Sequence, residues 1–434
     1  MALFNIRWVS VKRWLLGGLR TGLARLLDPL TPIRRDRITF ATRYNVPFAG
    51  NLRIVADALA ADGRFDIAVY REQPLPAETA AALSAAGITV LHGFSLTVLR
   101  RVLSSGTVVL SHSGRDAYLT RRRHGRRVVN LWHGVALKRI EFLMRGSASG
   151  TENRHRARQM RRNADLYDAM ISSGEVDRLV MAASFRVPFE SIAPIGLPRF
   201  DYLRPDHPLP ADLRREETDL LAAMSGRPLV LYAPTFRAGG PSVLADLDGE
   251  VLARLAAFAK AEGVVFGIRP HPYEAALLDG RQVFGDGVLD LGPRRFQEPN
   301  VILRHASALV VDYSSIWVDF LLKKRTIIGF APDIATYREA DRGFIYDQER
   351  LFPGPTLATW EAVMAALSRA RSDGFEPIDP ASHARAMELL LPGTHGDPTG
   401  FTERAESVVV PVQRKPSSSF MHTSSSFADK PQGT

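Results

Sequence analysis

Four short stretches of this chain end an apolar run on residues able to move protons or hold anions. NLWHG presents His133 followed at once by Gly134. YAPTFR brings Thr235 and Arg237 after Pro234. IRPHP sets Arg269 and His271 in a segment bounded by prolines, which disfavour helix. DYSS carries Asp312, Ser314 and Ser315 just ahead of the helical stretch IWVDFLLKK. Each has a plainer reading. His133 can be a core histidine with Gly134 opening a turn, Thr235 a turn residue, Arg237 a surface charge, Arg269 and His271 an ion pair, and either serine an N-cap. Together they are hydrogen-bond donors and cations with no matching supply of acidic metal ligands, a collection that suits a phosphate or pyrophosphate. No metal or cofactor is called for.

The elements that must position them alternate. From Ile38 to about Ile195, β-rich runs (RITFATR, FDIAVYR, ITVLHG, TVVLSH, RRVVNLWHG, DAMISS, SIAPIG) are interleaved with helical patterns such as NLRIVADALAADG and EVDRLVMAASF. This spacing predicts βαβ units, an α/β class and a parallel sheet covered on both faces. Position 133 then falls at a strand's carboxyl end, where open α/β sheets bind ligands. His112, ending VVLSH, can line the same cleft. A second series follows the Pro-rich RPDHPLP: PLVLYAPTFR, a helix near Val251 to Glu262, VVFGIRPHP, GVLDLG, ALVVDYSS and RTIIGFAP. It predicts a second Rossmann-like domain. The expected division is 1–37, 38–200, 201–410 and a Ser/Pro-rich disordered tail at 411–434.

The 434 residues are enough for two cores, and the absence of cysteine excludes disulfides, thiolate zinc sites and cysteine nucleophiles. A net charge of +10 points to an anionic partner. Within the first 37 residues, Arg7, Lys12, Arg13, Arg20, Arg25, Arg34, Arg35 and Arg37 oppose only Asp28 and Asp36, with tryptophans and leucines between them. No apolar run there reaches the roughly 20 residues needed to span a bilayer. The segment reads as a basic amphipathic helix lying on an anionic membrane surface; it lacks a small-residue cleavage site, so export is disfavoured. Asp246 and Asp248 read as first-turn acids of a helix, and the RRRHGRR stretch at 121–127 as a solvated loop. No nucleic-acid module and no glycine-rich phosphate loop accompany the charge, so nucleic acid is not an expected partner.

In order, WHGVALK, GLPRFDYL, YAPTFR, RPHP, VVDYSSIWVDF and RGFIYD with PGP nearby resemble the CDP-glycerol glycerophosphotransferase family of teichoic-acid and capsule polymerases and primases. The resemblance runs from about Arg127 to Arg404. It implies a GT-B-like arrangement, two Rossmann-like domains facing a cleft with the donor nucleotide held mainly by the second. It further implies that His133 is the catalytic base and that His271 contacts the donor phosphates. Thr235, Arg237, Arg269, Ser314 and Ser315 would belong to the donor site with Asp312 in its frame, and Gly134 and Lys138 would lie on the acceptor side. Where the family commonly has Thr-Pro after WHG, this chain has Val135 and Ala136, which leaves the acceptor's identity open.

The activity so implied is transfer of glycerol phosphate from CDP-glycerol to a hydroxyl of a lipid-linked or polymeric acceptor, with release of CMP, at the cytoplasmic face of the membrane. CDP-ribitol or a nucleotide sugar as donor, or a non-catalytic scaffold of the same fold, are the alternatives. Retention of both His133 and His271 speaks against the scaffold.

Overall fold

The computed structural model describes residues 17–43, 46–144, 151–236, 244, 247–272, 274, 287–334, 343–391 and 400–411. Two parallel sheets organise them. The first has seven strands in the order β3-β2-β1-β4-β5-β6-β7. These are β1 (Arg34–Ala41), β2 (Asp66–Arg71), β3 (Thr89–His92), β4 (Ser105–Leu110), β5 (Arg127–Asn130), β6 (Ala169–Ile171) and β7 (Ile192–Ala193). The second has six, in the order β10-β9-β8-β11-β12-β13. Its strands are β8 (Leu229–Ala233), β9 (Val265–Ile268), β10 (Val288–Asp290), β11 (Ala306–Val311), β12 (Thr326–Phe330) and β13 (Thr356–Leu357). Helices cover both faces, so the central strands read as unbroken apolar runs: Val108, Val109 and Leu110 of β4, and Ala308, Leu309, Val310 and Val311 of β11, are all fully buried.

Along the chain, α1 covers residues 17–27, and α2 (Gly50–Asp62), α3 (Ala77–Ala85), α4 (Leu96–Leu103), α5 (Thr151–Leu166) and α6 (Glu175–Phe185) serve the first lobe. They are followed by α7 (Ala211–Met224), α8 (Gly249–Glu262), α9 (Pro299–His305) and α10 (Ile316–Phe320). Their ends obey local chemistry. The Ser95 hydroxyl accepts from Val98 N at 3.1 Å to start α4, and the Asp248 carboxylate accepts from Val251 N at 2.9 Å to start α8. Asp248 is thus a cap, while Asp246 lies outside the described residues.

Both sheets reverse strand order once, and both reversals matter. In the first the order turns between β1 and β4, and in the second between β8 and β11. At such a point the loops leaving adjacent strands diverge and open a crevice. The two crevices face each other.

Three expectations need correction. Residues 34–37 are not part of a membrane segment: β1 starts at Arg34, pairing with Ser105, and Arg37 pairs with Asp66. The second lobe does not keep everything up to 410. The helix Pro380–Leu390 returns to the first lobe, with Ser173 Oγ donating to Leu390 O at 2.8 Å. In the helix Phe401–Val409, Thr402 N and Oγ1 donate to Asp201 at 2.8 and 2.7 Å, and Arg127 donates to Val408 O at 3.0 Å. A side chain on Gly196 would drive its Cβ to 2.3 Å from the Phe401 ring, so this glycine makes room for the returning helix. RRRHGRR is also largely pinned: Arg126 is buried against Asp28 at 2.8 Å, Arg123 reaches the same carboxylate at 3.3 Å, and Arg122 pairs with Asp168. The proposed tail beyond Pro411 and the first 16 residues lie outside the described residues.

Candidate active site

One cavity of about 820 Å³ lies between the lobes, and both sheets' crevices open into it. From the first lobe it is lined by Arg43 after β1, His112 after β4 and His133 after β5; from the second by His271 after β9 and by Ser314 and Ser315 after β11.

His133 reaches the cavity through a kink in the backbone. Its predecessor Trp132 has φ +49°, a left-handed conformation that bulky residues rarely adopt and that costs of order 1–3 kcal/mol. Neighbouring side chains hold it there. Asn130 Oδ1 accepts from Trp132 N at 2.8 Å, buried Asn51 Nδ2 donates to Leu131 O at 2.9 Å and Trp132 O at 3.3 Å, and the indole packs edge-on against Phe185 at 4.8 Å. The sequence reading gave the turn to Gly134, but Gly134 lacks a positive φ. Its want of a side chain serves close approach instead: an added Cβ would stand 3.1 Å from Ser315 Oγ and 3.7 Å from Arg199 Nη2.

The His133 Nδ1 atom lies 3.0 Å from Ser111 O. A carbonyl only accepts, so Nδ1 carries the hydrogen and Nε2 offers the lone pair, the tautomer a base requires. His112 stacks on the same ring at 4.2 Å and 11°, its own Nδ1 2.8 Å from Ser111 Oγ. Although His133 is exposed to the cleft, the protein crowding its imidazole displaces hydration and pushes its pKa down to about 4, with Arg199 and Arg43 adding repulsion. His271, half-buried against Phe236 at 5.9 Å between ring centres, is likewise pushed to about 4, by burial first and then by Lys138 and Arg269. Both imidazoles are therefore neutral at pH 7.

The remaining expected site residues fall into two groups. Thr235 and Asp312 bridge the switch point of the second sheet beneath the cleft: Asp312 accepts from Thr235 N at 2.9 Å and from Thr235 Oγ1 at 2.7 Å. Ser315 occupies the N-cap position of α10 without a side-chain cap bond, and Ser314 Oγ lies 3.5 Å from Ile316 N. Val318 N donates to Ser315 O at 3.0 Å, so the start of α10 is a tight turn that stands at the cavity wall. Arg269 lines the cavity, and its guanidinium donates to the carbonyls of Leu291, Phe296 and Gln297 at 2.8, 2.7 and 3.4 Å, tying it to the segment after β10. Lys138 is held by an antiparallel bridge to Phe344 of RGFIYD, flanked by Arg139 N to Gly343 O at 3.1 Å and Ile345 N to Leu137 O at 3.0 Å. That bridge brings a residue expected on the acceptor side close enough to act on His271 across the lobes. Arg237 lies outside the described residues.

Sequence reasoning missed Arg199. From GLPRF it donates through Nε and Nη2 to both oxygens of Asp319 on α10, at 2.7 and 2.8 Å, and through Nη1 to His133 O at 2.5 Å. Asn51 Oδ1 accepts from Arg199 N at 3.2 Å, and Asn300 Nδ2 donates to Arg199 O at 2.9 Å. The buried pair joins the histidine loop to the helix that begins at Ser315. Its signal was present in the quoted motifs, GLPRFDYL and SSIWVDF, whose arginine and aspartate are 120 residues apart.

Comparison with known proteins decides the family. The profile of CDP-glycerol:poly(glycerophosphate) glycerophosphotransferases matches residues 25–379. The chain belongs to this family. Among its relatives, it is 28% identical over 269 residues to the teichoic acid ribitol-phosphate polymerase TarL of Staphylococcus aureus, covering 60% of this chain and 45% of TarL. It is 28% identical over 264 residues to a teichoic acid poly(glycerol phosphate) polymerase of Bacillus subtilis, covering 56% of this chain and 32% of that one. The chain thus spans less than half the length of these relatives. Among solved structures, the wall teichoic acid polymerase TagF superimposes with a TM-score of 0.73 at 17% identity, covering 94% of this chain and 97% of that one. The two-sheet architecture is therefore the fold of that wall teichoic acid polymerase.

Proposed function

We propose that this chain transfers glycerol phosphate from CDP-glycerol to a hydroxyl acceptor and releases CMP, in the synthesis of a teichoic-acid-like or capsular polymer. The observation that carries the reading is that His133 and His271 line one interlobe cavity from opposite lobes, beside Ser314 and Ser315 at the start of α10. In the step itself, the acceptor oxygen forms a bond to the phosphorus next to glycerol. The bond from that phosphorus to the CMP oxygen breaks, and CMP leaves with the electron pair. The acceptor's proton passes to His133 Nε2, an assistance typically worth about 10² to 10⁴ in rate. Charge growing on CMP is met by His271 as a neutral N–H donor and by the amides at Ser314 and Ser315. Positioning supplies much of the rest, as in other phosphoryl transfers. CDP-ribitol is the second donor to consider, since ribitol-phosphate polymerases stand among the relatives.

The acceptor reaches the cleft from a membrane surface. Leu19, Leu26 and Leu30 are 71%, 70% and 76% exposed next to Arg25, whereas Leu23, Ala24 and Leu27 turn inward to the core of the first lobe. No helix among the described residues is long and apolar enough to cross a membrane. A peripheral position on the cytoplasmic leaflet fits this outward face. The test incubates the purified chain with CDP-glycerol, CDP-ribitol and nucleotide sugars, with and without a lipid acceptor fraction, and measures CMP. Acceptor-dependent CMP release from a CDP-polyol supports the reading. A chain that binds donor but never turns over is the scaffold.

A further inference from the structure

The transfer step leaves His112 unused, although it lies against the base. The parallel register, Val109 beside Val129 and Leu110 beside Asn130, brings the ends of β4 and β5 together. The pairing continues one residue further, with Leu131 N donating to Leu110 O at 2.8 Å. Asn130 then braces the two exits: its Nδ2 donates to His112 O at 3.2 Å, while its Oδ1 accepts from Trp132 N at 2.8 Å. The Tyr167 hydroxyl donates to the same His112 carbonyl at 3.0 Å. His112 and His133 therefore leave adjacent strand ends with their backbones tied, and their rings stack.

Ser111 addresses both imidazoles. Its carbonyl accepts from His133 Nδ1 at 3.0 Å, and its hydroxyl, 3.3 Å from Thr42 Oγ1, lies 2.8 Å from His112 Nδ1. One hydrogen bond fixes one atom of the base and leaves the ring free to turn about it. The flat contact with His112 removes that freedom, with the ring centres 4.2 Å apart and the planes within 11°. Trp132 meets the base from another side, 4.0 Å from His133 and 6.3 Å from His112. A reacting group has to be held within about 10–20° of its productive orientation, which this packing does.

Charge points the same way. On this side of the cleft stand Arg43, Arg115, Arg156 and Arg199 with Glu141, and Asp116 acts on Arg43 and Arg115. Arg199 and Arg43 oppose a proton on His133. A second imidazolium against the base would add to that repulsion. Instead the protein crowding His112, then His133 and Arg43, hold its pKa well below 6.5, so it presents a neutral face. A cation is attracted to the face of a neutral aromatic ring, and His133 becomes a cation when it takes the acceptor's proton.

We infer that His112 is a positioning residue for the transfer: its neutral ring sets the plane of His133 and backs the charge that His133 gains. It acts through the base and takes no proton itself. This rests on the transferase reading for the role of His133. Two variants of the full chain separate the ring from its hydrogen bond. His112→Phe keeps a flat ring and loses the contact with Ser111, whereas His112→Asn keeps a polar group toward Ser111 and loses the ring. His112→Asn should lose about tenfold or more in kcat with donor Kd unchanged. Its acid limb of kcat/KM should also move up from about 4, because water then reaches His133. His112→Phe should recover most of the rate and keep the limb low. Imidazole nitrogen NMR on the histidine-labelled chain reads the same event without turnover: the His133 titration should rise in His112→Asn and stay low in His112→Phe. Melting curves establish that each variant is folded. Wild-type kcat in His112→Asn overturns the proposal. Rescue by Asn and not by Phe also overturns it, in favour of the hydrogen bond, and equal loss in both variants overturns it in favour of proton relay through His112. A parallel loss of donor affinity would place His112 against the donor instead. Absence of CMP release in the wild-type chain refutes the transferase reading, whereas an unmoved His133 titration in His112→Asn refutes the positioning itself.

Discussion

A Cβ atom placed on Gly134 would stand 3.1 Å from Ser315 Oγ, although the two residues follow strands of different sheets. The loop that carries His133 and the start of α10 therefore meet closely enough that only a glycine fits without displacing Ser315. The Arg199–Asp319 pair fixes that meeting from behind.

Gly134→Ala should fold, because the position has no left-handed backbone to lose, but it must push Ser315 aside by a few tenths of an ångström or more. A misplacement of about 1 Å in a reacting geometry can cost about 10² in rate, and this smaller one should cost less. Steady-state kinetics should show a fall in kcat with melting temperature little changed. Wild-type kcat in this variant would mean that the contact is incidental.

His133→Ala should keep donor affinity and lose about 10² to 10⁴ in kcat. His271→Ala should lose rate and weaken donor binding together. Donor Kd by calorimetry and kcat by CMP release separate the two roles, and equal behaviour of the variants would contradict the assignment.

Acid should inactivate the enzyme late. With His133 held near 4 in place of about 6.5, the base stays unprotonated down to pH 5, so kcat/KM in the free enzyme should remain flat from pH 8 and fall only as pH approaches 4. An acid limb centred at 6.5 would refute the depressed base. Stability moves with it: the unfolded chain binds protons on these histidines that the folded one refuses, so their contribution is complete above about 6.5 and is lost as pH falls toward 4. Asp116 and Asp177, raised by burial to about 6, act in the opposite sense and lose theirs as pH rises from 3.8 through 6.

Arg199→Met should cost about 3–5 kcal/mol of stability, since it leaves Asp319 buried and uncompensated at the lobe junction. It also removes one cation from beside His133, so the acid limb of kcat/KM should move upward. Denaturant unfolding and a pH–rate profile check the two effects; a stable variant with an unmoved limb would show the pair to be dispensable.

Replacing Leu19, Leu26 and Leu30 together by serine should release the chain from anionic vesicles while leaving its fold intact, because these side chains point away from the core. Cosedimentation measures it. Removing α1 entirely is a poorer test: Arg20 pairs with Glu72 at 2.6 Å, and Asp28 next to the helix neutralises buried Arg126. Undiminished vesicle binding by the triple serine variant would move the attachment elsewhere.

Much of the architecture was legible from periodicity. Apolar runs marked the strands of the first sheet, most clearly β2, β4 and β5, because a parallel strand buried on both faces has to be apolar throughout. Two-residue β13 carries no such run, and its place was not anticipated. The return of Phe401–Val409 to the first lobe was hidden too, since a helix's apolar side does not say which surface it covers. For the site, His133, His271, Ser314 and Ser315 could be singled out because they follow strands, and strand ends are where a sheet opens. For Arg269 the residue type marked a donor at the cleft, while its carbonyl partners depend on which segments the fold brings within reach.

By itself, then, the sequence determined the chain's local grammar: which runs become strands, where they stop, and which chemically able residues stand at those stops. Only the tertiary structure decided that Trp132 takes the strain and Gly134 the contact, that Arg199 spans 120 residues to Asp319, and that His133 and His271 line one cavity. The division has a physical cause. Backbone preference and burial act over a few neighbouring residues and leave a periodic trace, whereas a guanidinium's choice of carboxylate is made across space between segments whose spacing in the chain carries no record of it.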